Sequence, residues 1–141
     1  MKKLFKSVYY VLNWTWGILM NIIGAVGVAF FKARGYEVKR HGGSYYVLCG
    51  GTGWGGVSFG MFFFYQENVT EYGKNHEYGH SLQNCLWGPL FPFVISIPSA
   101  VRYWNRRMKQ EKGIKLETSY DDIWFEGQAT KWGTDTAKFW D

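Results

Sequence analysis

From Ser7 to Phe31 the chain carries no charged residue. As a single helix, that run would be about 37 Å long at about 1.5 Å per residue, more than the roughly 30 Å apolar thickness of a bilayer. Within it Asn13, Gly17, Asn21 and Gly24 recur at helical spacing. One face therefore carries small residues and amides that need partners, which points to packing on another helix. The segment reads as a membrane helix in preference to a buried or interfacial one. A cleaved signal fits worst: the apolar stretch is too long, it holds Trp14 and Trp16, and Ala25-Val26-Gly27 is a poor cleavage site. Basic residues flank both ends, Lys2, Lys3 and Lys6 before it and Lys32, Arg34, Lys39 and Arg40 after it, so the charge rule leaves the orientation open.

The periodicity then shortens. Residues 36–40 and 44–48 flank Gly42-Gly43 and predict a hairpin, with His41 as a residue of its turn. Gly50 to Gly56 is a glycine-rich loop; no GK[ST] follows it, so tight turns explain it better than phosphate binding. Val57 to Tyr65 is β-branched and aromatic and predicts one further strand. Residues from about Thr70 to Trp87 predict a helix stopped by Gly88-Pro89. Cys85 to Val101 is again uncharged, but Pro89, Pro92 and Pro98 argue against a straight span and for a re-entrant or interfacial segment. Ser119 is placed to cap a last helix running through Ile123 to Trp132 and ending at Gly133. The pattern gives an α+β fold: an N-terminal hydrophobic helix over 1–34, then a domain over 35–141 with a small antiparallel β-sheet and two helices.

Composition narrows the class. Aromatic residues make up 21% of the chain and charged residues 19%, which gives enough apolar surface for one compact domain and excludes a disordered chain. The net charge of +5 is carried beside apolar segments rather than in a separate stripe. Anionic lipid is thus the expected partner and nucleic acid is not. The border from Arg102 through Trp104 to Lys115 has the aromatic and basic character of a headgroup contact. Cys49 and Cys85 form no CxxC pair and read as separate thiols, so neither a thiolate zinc site nor a redox motif is indicated.

The chemistry lies in Asn75-His76-Glu77-Tyr78-Gly79-His80-Ser81-Leu82-Gln83. Two histidines four apart on a helix share a face and can reach one ion, the spacing tetrahedral Zn2+ requires. Glu77 then lies beside the metal rather than on it, placed to take a proton from an activated water. A hydrolytic zinc needs a third protein ligand. Glu126, mid-helix with Gly127 and Ala129 beside it, is the candidate, with Asp121 or Asp122 as alternatives for that place or as acceptors for an imidazole N–H. Gln83 and Thr130 are further candidates for that outer hydrogen bonding, and Tyr78, Tyr103 and Tyr120 for donors to a developing oxyanion. Gly79, unfavourable in a helix, suggests that a strand or substrate passes close by.

His76-Glu77-Tyr78-Gly79-His80 followed by Glu126 on a later helix resembles the gluzincin clan of zinc metallopeptidases, and within it small membrane-associated zincin-like proteins. The resemblance covers about Glu71 to Gly133, including Gly88-Pro89-Leu90 and Pro98-Ser99. It implies a zincin-like two-helix metal site, with His76, His80 and Glu126 on zinc and Glu77 as general base. The expected activity is hydrolysis of a peptide or protein substrate near a membrane. Thr130 stands where many gluzincins carry an acid, so support for a histidine has to come from elsewhere in this chain. The alternative is a non-catalytic zinc-binding membrane protein with a structural or partner-binding role.

Overall fold

The computed structural model describes residues 2–51 and 54–140; Thr52 and Gly53 of the glycine-rich loop lie outside the described residues. The fold is α+β, with five α-helices and a four-stranded mixed sheet among those residues.

The uncharged N-terminal run is not one helix. It forms α1 (Lys2–Trp14) and α2 (Ile18–Ala33), which meet at 88°. Gly17 sits in the bend. Its N–H donates to Leu12 O at 2.7 Å, and its carbonyl accepts Asn84 Nδ2 at 3.1 Å. A Cβ at Gly17 would collide with that same Asn84 amide, so the bend is held by a side chain from a distant helix. The polar stripe is buried as expected, but its partners are mixed. Asn13 Oδ1 accepts from Asn84 Nδ2 at 2.7 Å, whereas Asn21 Oδ1 accepts the N–H of Met61 at 2.7 Å and Gly24 packs on Phe59 and Phe62. No single helix among the described residues is long and apolar enough to cross a membrane.

Strands β1 (Lys39–His41) and β2 (Ser44–Leu48) form the expected hairpin, with Gly42 at φ +60° in its turn. The run from 57 to 65 folds as two strands, β3 (Gly56–Phe59) and β4 (Phe62–Tyr65), because Gly60 adopts φ +65° and reverses the chain. That turn lies against Asn21, whose clasp on Met61 fixes it to α2. The order is β1-β2-β4-β3, and β4 pairs parallel to β2. The sheet is therefore mixed rather than antiparallel, and β3 is an edge.

Helix α3 (Glu71–Trp87) starts where Thr70 Oγ1 accepts the Gly73 N–H at 3.0 Å and stops at Gly88, φ +54°. A short turn over Gly88–Leu90 and a wide one over Pro92–Ser96 redirect the chain into α4 (Ile97–Glu111), with a 115° bend overall. Ser119 and Asp122 cap only the short turn Tyr120–Asp122; Ile123 is extended, and α5 (Trp124–Thr136) begins after it. Gly133 does not end α5. It lies inside the helix, where any Cβ would strike the carbonyl of Asn75 on α3. Two apolar clusters flank α3: Met20, Phe91, Ile95 and Phe125 on one side, and Tyr9, Met61 and Tyr78 on another.

Candidate metal centre

Helices α3 and α5 cross backbone to backbone. A Cβ at Gly79 would overlap the Ala129 carbonyl, so the passing element that this glycine accommodates is α5 itself. Gly127, by contrast, faces the carbonyl of Asp121 and lets the preceding turn fold back on α5. The crossing sets Glu126 opposite His76 and His80. All three are buried, and their donor atoms lie within 4.8 Å of one another in a group that could hold a metal ion. Glu126 Oε1 is 3.1 Å from His80 Nε2 and 3.7 Å from His76 Nε2.

The hydrogen bonds behind the rings define what those atoms present. Gln83 Nε2 donates to Phe125 O at 2.8 Å and to Gln128 Oε1 at 3.0 Å, which turns its carbonyl oxygen to His80 Nδ1 at 2.7 Å. Support for His76 comes from Thr130 after all, with the acid one step further back: Thr130 Oγ1 donates to Asp121 Oδ2 at 2.8 Å, so it accepts from His76 Nδ1 at 2.8 Å. Each ring is thereby held with a proton on Nδ1 and with Nε2 directed inward. With Nε2 of both rings unprotonated, Glu126 Oε1 is a buried oxygen with no hydrogen-bond donor among the described residues. Three acceptors then face one another in a low-dielectric setting, an arrangement that needs a proton or a cation among them.

Charge follows the same geometry. Burial disfavours a charged His80, but the bond to Glu126 and the charges of Glu77 and Glu126 outweigh it and hold the imidazole up at about 9. Burial likewise opposes ionisation of Glu126, yet the bond and charge of His80 draw it down to about 2. Burial and the neighbouring His80 charge depress His76, which therefore stays neutral. A cation entering the group competes with a single proton, the one on His80 Nε2.

Glu77 projects from the next face of α3. Ser58 of edge strand β3 donates to its carboxylate, and the residue is only 5% exposed. A cleft of about 940 Å³ opens beside the group, lined by Ser58 and Phe59 of β3, by His76, Glu77 and His80 of α3, and by Ser99 and Tyr120. Its volume suits a peptide-sized ligand. Ser99 Oγ donates to the second oxygen of Glu126 at 3.0 Å and lies 3.3 Å from the Tyr120 hydroxyl. Burial and the adjacent Glu126 push that phenol well above its ordinary range, so it remains a donor.

The other candidate residues separate clearly. Asp121 reaches His76 through Thr130 and also accepts from Tyr72, whereas Asp122 is spent on the Ser119 cap and is not at the group. Tyr103 lines the cleft with its hydroxyl taken by Arg107 at 3.0 Å. Tyr78 is fully buried on another face of α3, bonded to Trp140 at 2.6 Å and Thr136 at 3.0 Å, which removes it from the oxyanion candidates. His41 pairs with Asn75 at 2.7 Å, away from the metal group. Both cysteines are free. Ser58, Ser99 and Tyr72 carry no spacing signal in the sequence; only the assembled fold reveals them. No protein family, curated protein or solved structure compared with the chain matches it.

Proposed function

We propose that the protein is a zinc-dependent peptide hydrolase acting beside a membrane. The observation that carries this reading is the inward convergence of His76 Nε2, His80 Nε2 and Glu126 Oε1, each fixed from behind, next to an acid that is not part of the group. Two imidazoles and one carboxylate form the donor set of hydrolytic zinc sites, which leaves a coordination position free. A zinc ion held there would supply Lewis acidity, lowering the pKa of a water and polarising a carbonyl.

The chain's own groups would do the rest. Glu77 takes the proton of the attacking water and returns it to the leaving amine, with the Ser58 hydroxyl holding its carboxylate at the cleft. Tyr120, kept protonated, is placed to donate to the developing oxyanion. Strand β3 has one unpaired edge and lines the cleft, so an extended peptide can add to it by main-chain bonding. The gluzincin resemblance supports the same assignment.

The purified protein is expected to hold about one zinc per chain. Glu77→Gln should retain the metal yet lose peptide hydrolysis by roughly 10²-fold or more, measured on a fluorogenic peptide library. Equal turnover by variant and parent would overturn the catalytic reading in favour of a non-catalytic metal protein.

A further inference from the structure

The apolar surface outside the cleft is large and ordered along two helical strips. On α2, Ile18, Leu19, Ile22, Ile23, Val26 and Phe30 are 42–65% exposed, with no charge before Lys32. The second strip runs through Leu90, Phe93, Ile97, Val101, Trp104 and Met108, each at least half exposed and spaced three or four apart along the turn into α4. The strips adjoin. Trp16 Nε1 donates to Leu86 O at 3.1 Å, and Met20 on the inner side of α2 packs against Phe91 and Ile95. Exposed apolar strips on two neighbouring elements are the kind of surface that marks a membrane or partner contact.

Charge indicates what covers it. Arg106, Arg107, Lys109, Lys112 and Lys115 border the second strip against Glu111 and Glu117 alone, and Lys2, Lys3 and Lys6 open α1. Trp14 and Trp16 precede α2 at 41% and 49% exposure, and Trp104 stands 61% exposed within the second strip. Apolar faces with indole groups and basic margins match the headgroup region of an anionic bilayer. Length and bends indicate how the contact is made. Helices α1 and α2 are about 20 Å and about 24 Å long, short of the roughly 30 Å apolar core, and the two bends of 88° and 115° keep both pairs from running straight through.

We infer that the outward faces of α2 and of the segment from Leu90 to Met108 form one docking surface that lies in the interface of an anionic bilayer without crossing it. It rests on the membrane location proposed above but not on hydrolysis. Helix α4 links this surface to the cleft. Its inner face carries Ser99 on Glu126, and Arg102 donates to the carbonyls of Ser119 and Tyr120 at 2.8 and 2.9 Å. Trp104 and Arg107 stand at the cleft wall, so a chain emerging from the lipid surface meets the opening at that level.

The test uses the full chain, diluted from detergent onto preformed sealed vesicles of phosphatidylcholine with or without phosphatidylserine. Flotation is expected with phosphatidylserine and should weaken at least about tenfold without it. Lys109→Glu/Lys112→Glu/Lys115→Glu should erase that preference, and Ile22→Glu/Val26→Glu or Ile97→Glu/Val101→Glu should abolish flotation while bound metal and the melting temperature stay unchanged. Cysteines placed at Lys3 and Lys39, in a Cys49→Ser/Cys85→Ser background, should both react with an impermeant maleimide from outside. Protection of one of the two would show a crossing helix and overturn the inference, as would a protein that ignores both vesicle types and sediments as a dimer through these faces. Flotation by a protein without zinc or hydrolysis would sink the proposed function and leave this surface standing.

Discussion

His80 governs the proton balance of the metal group. Its raised value of about 9 means that metal-free protein carries an imidazolium against Glu126, and that a binding cation has to displace this proton. Apparent zinc affinity should therefore fall by about tenfold for each unit that pH drops below 9, with one proton released per ion bound. Chelator competition at several pH values and calorimetry in buffers of different ionisation enthalpy measure both. The linkage to stability has the opposite slope in the metal-free protein. A histidine raised in the folded state contributes fully below its ordinary 6.5 and loses that contribution as pH rises through about 9. Behind the rings, Gln83→Leu and Thr130→Val each remove the partner that orients an imidazole, and each should weaken zinc binding by roughly 10- to 100-fold. The histidine pair and Glu126 were legible from spacing and helix context. Tyr78 was assignable in principle: two positions after His76 on a helix of 3.6 residues per turn, it had to face away from the metal. Ser58 and Ser99 were not, because a hydroxyl that meets its carboxylate through tertiary contact leaves no periodic trace.

At the level of elements, the crossing of α3 and α5 rests on glycine. Gly79→Ala or Gly133→Ala improves helix propensity by about 1 kcal/mol, but the new methyl meets a carbonyl of the facing backbone, which cannot rotate aside. Overpacking should win, with a net loss of about 1–3 kcal/mol in chemical denaturation and reduced zinc content. Asn84→Ala tests the bend between α1 and α2. It removes the donor to both Asn13 Oδ1 and the Gly17 carbonyl, and should destabilise by about 1–3 kcal/mol through buried acceptors left without partners. The apolar content of the first helices was readable, but the bend was not, since its determinant lies on α3. The parallel pairing of β4 with β2 was hidden for a similar reason. Gly60 lies inside a β-branched and aromatic run, and its turn is secured by Asn21 from outside the sheet.

For the molecule as a whole, a metal held at this group would couple to the fold. The three ligands belong to two helices, and a cation that binds only their native arrangement should stabilise the protein by about 2.7 kcal/mol at a free concentration one hundred times its dissociation constant. Stripping with chelator is expected to lower the melting temperature, and zinc should restore it; Glu126→Gln should show no such response. Chain order adds a consequence. The two imidazoles leave the ribosome well before the carboxylate that completes the candidate cage, with the turns over 88–96 and α4 between them. A nascent polypeptide halted ahead of Glu126 should be unable to retain an ion, so the proposed activity would arise only after the segment of the proposed docking surface has already been made.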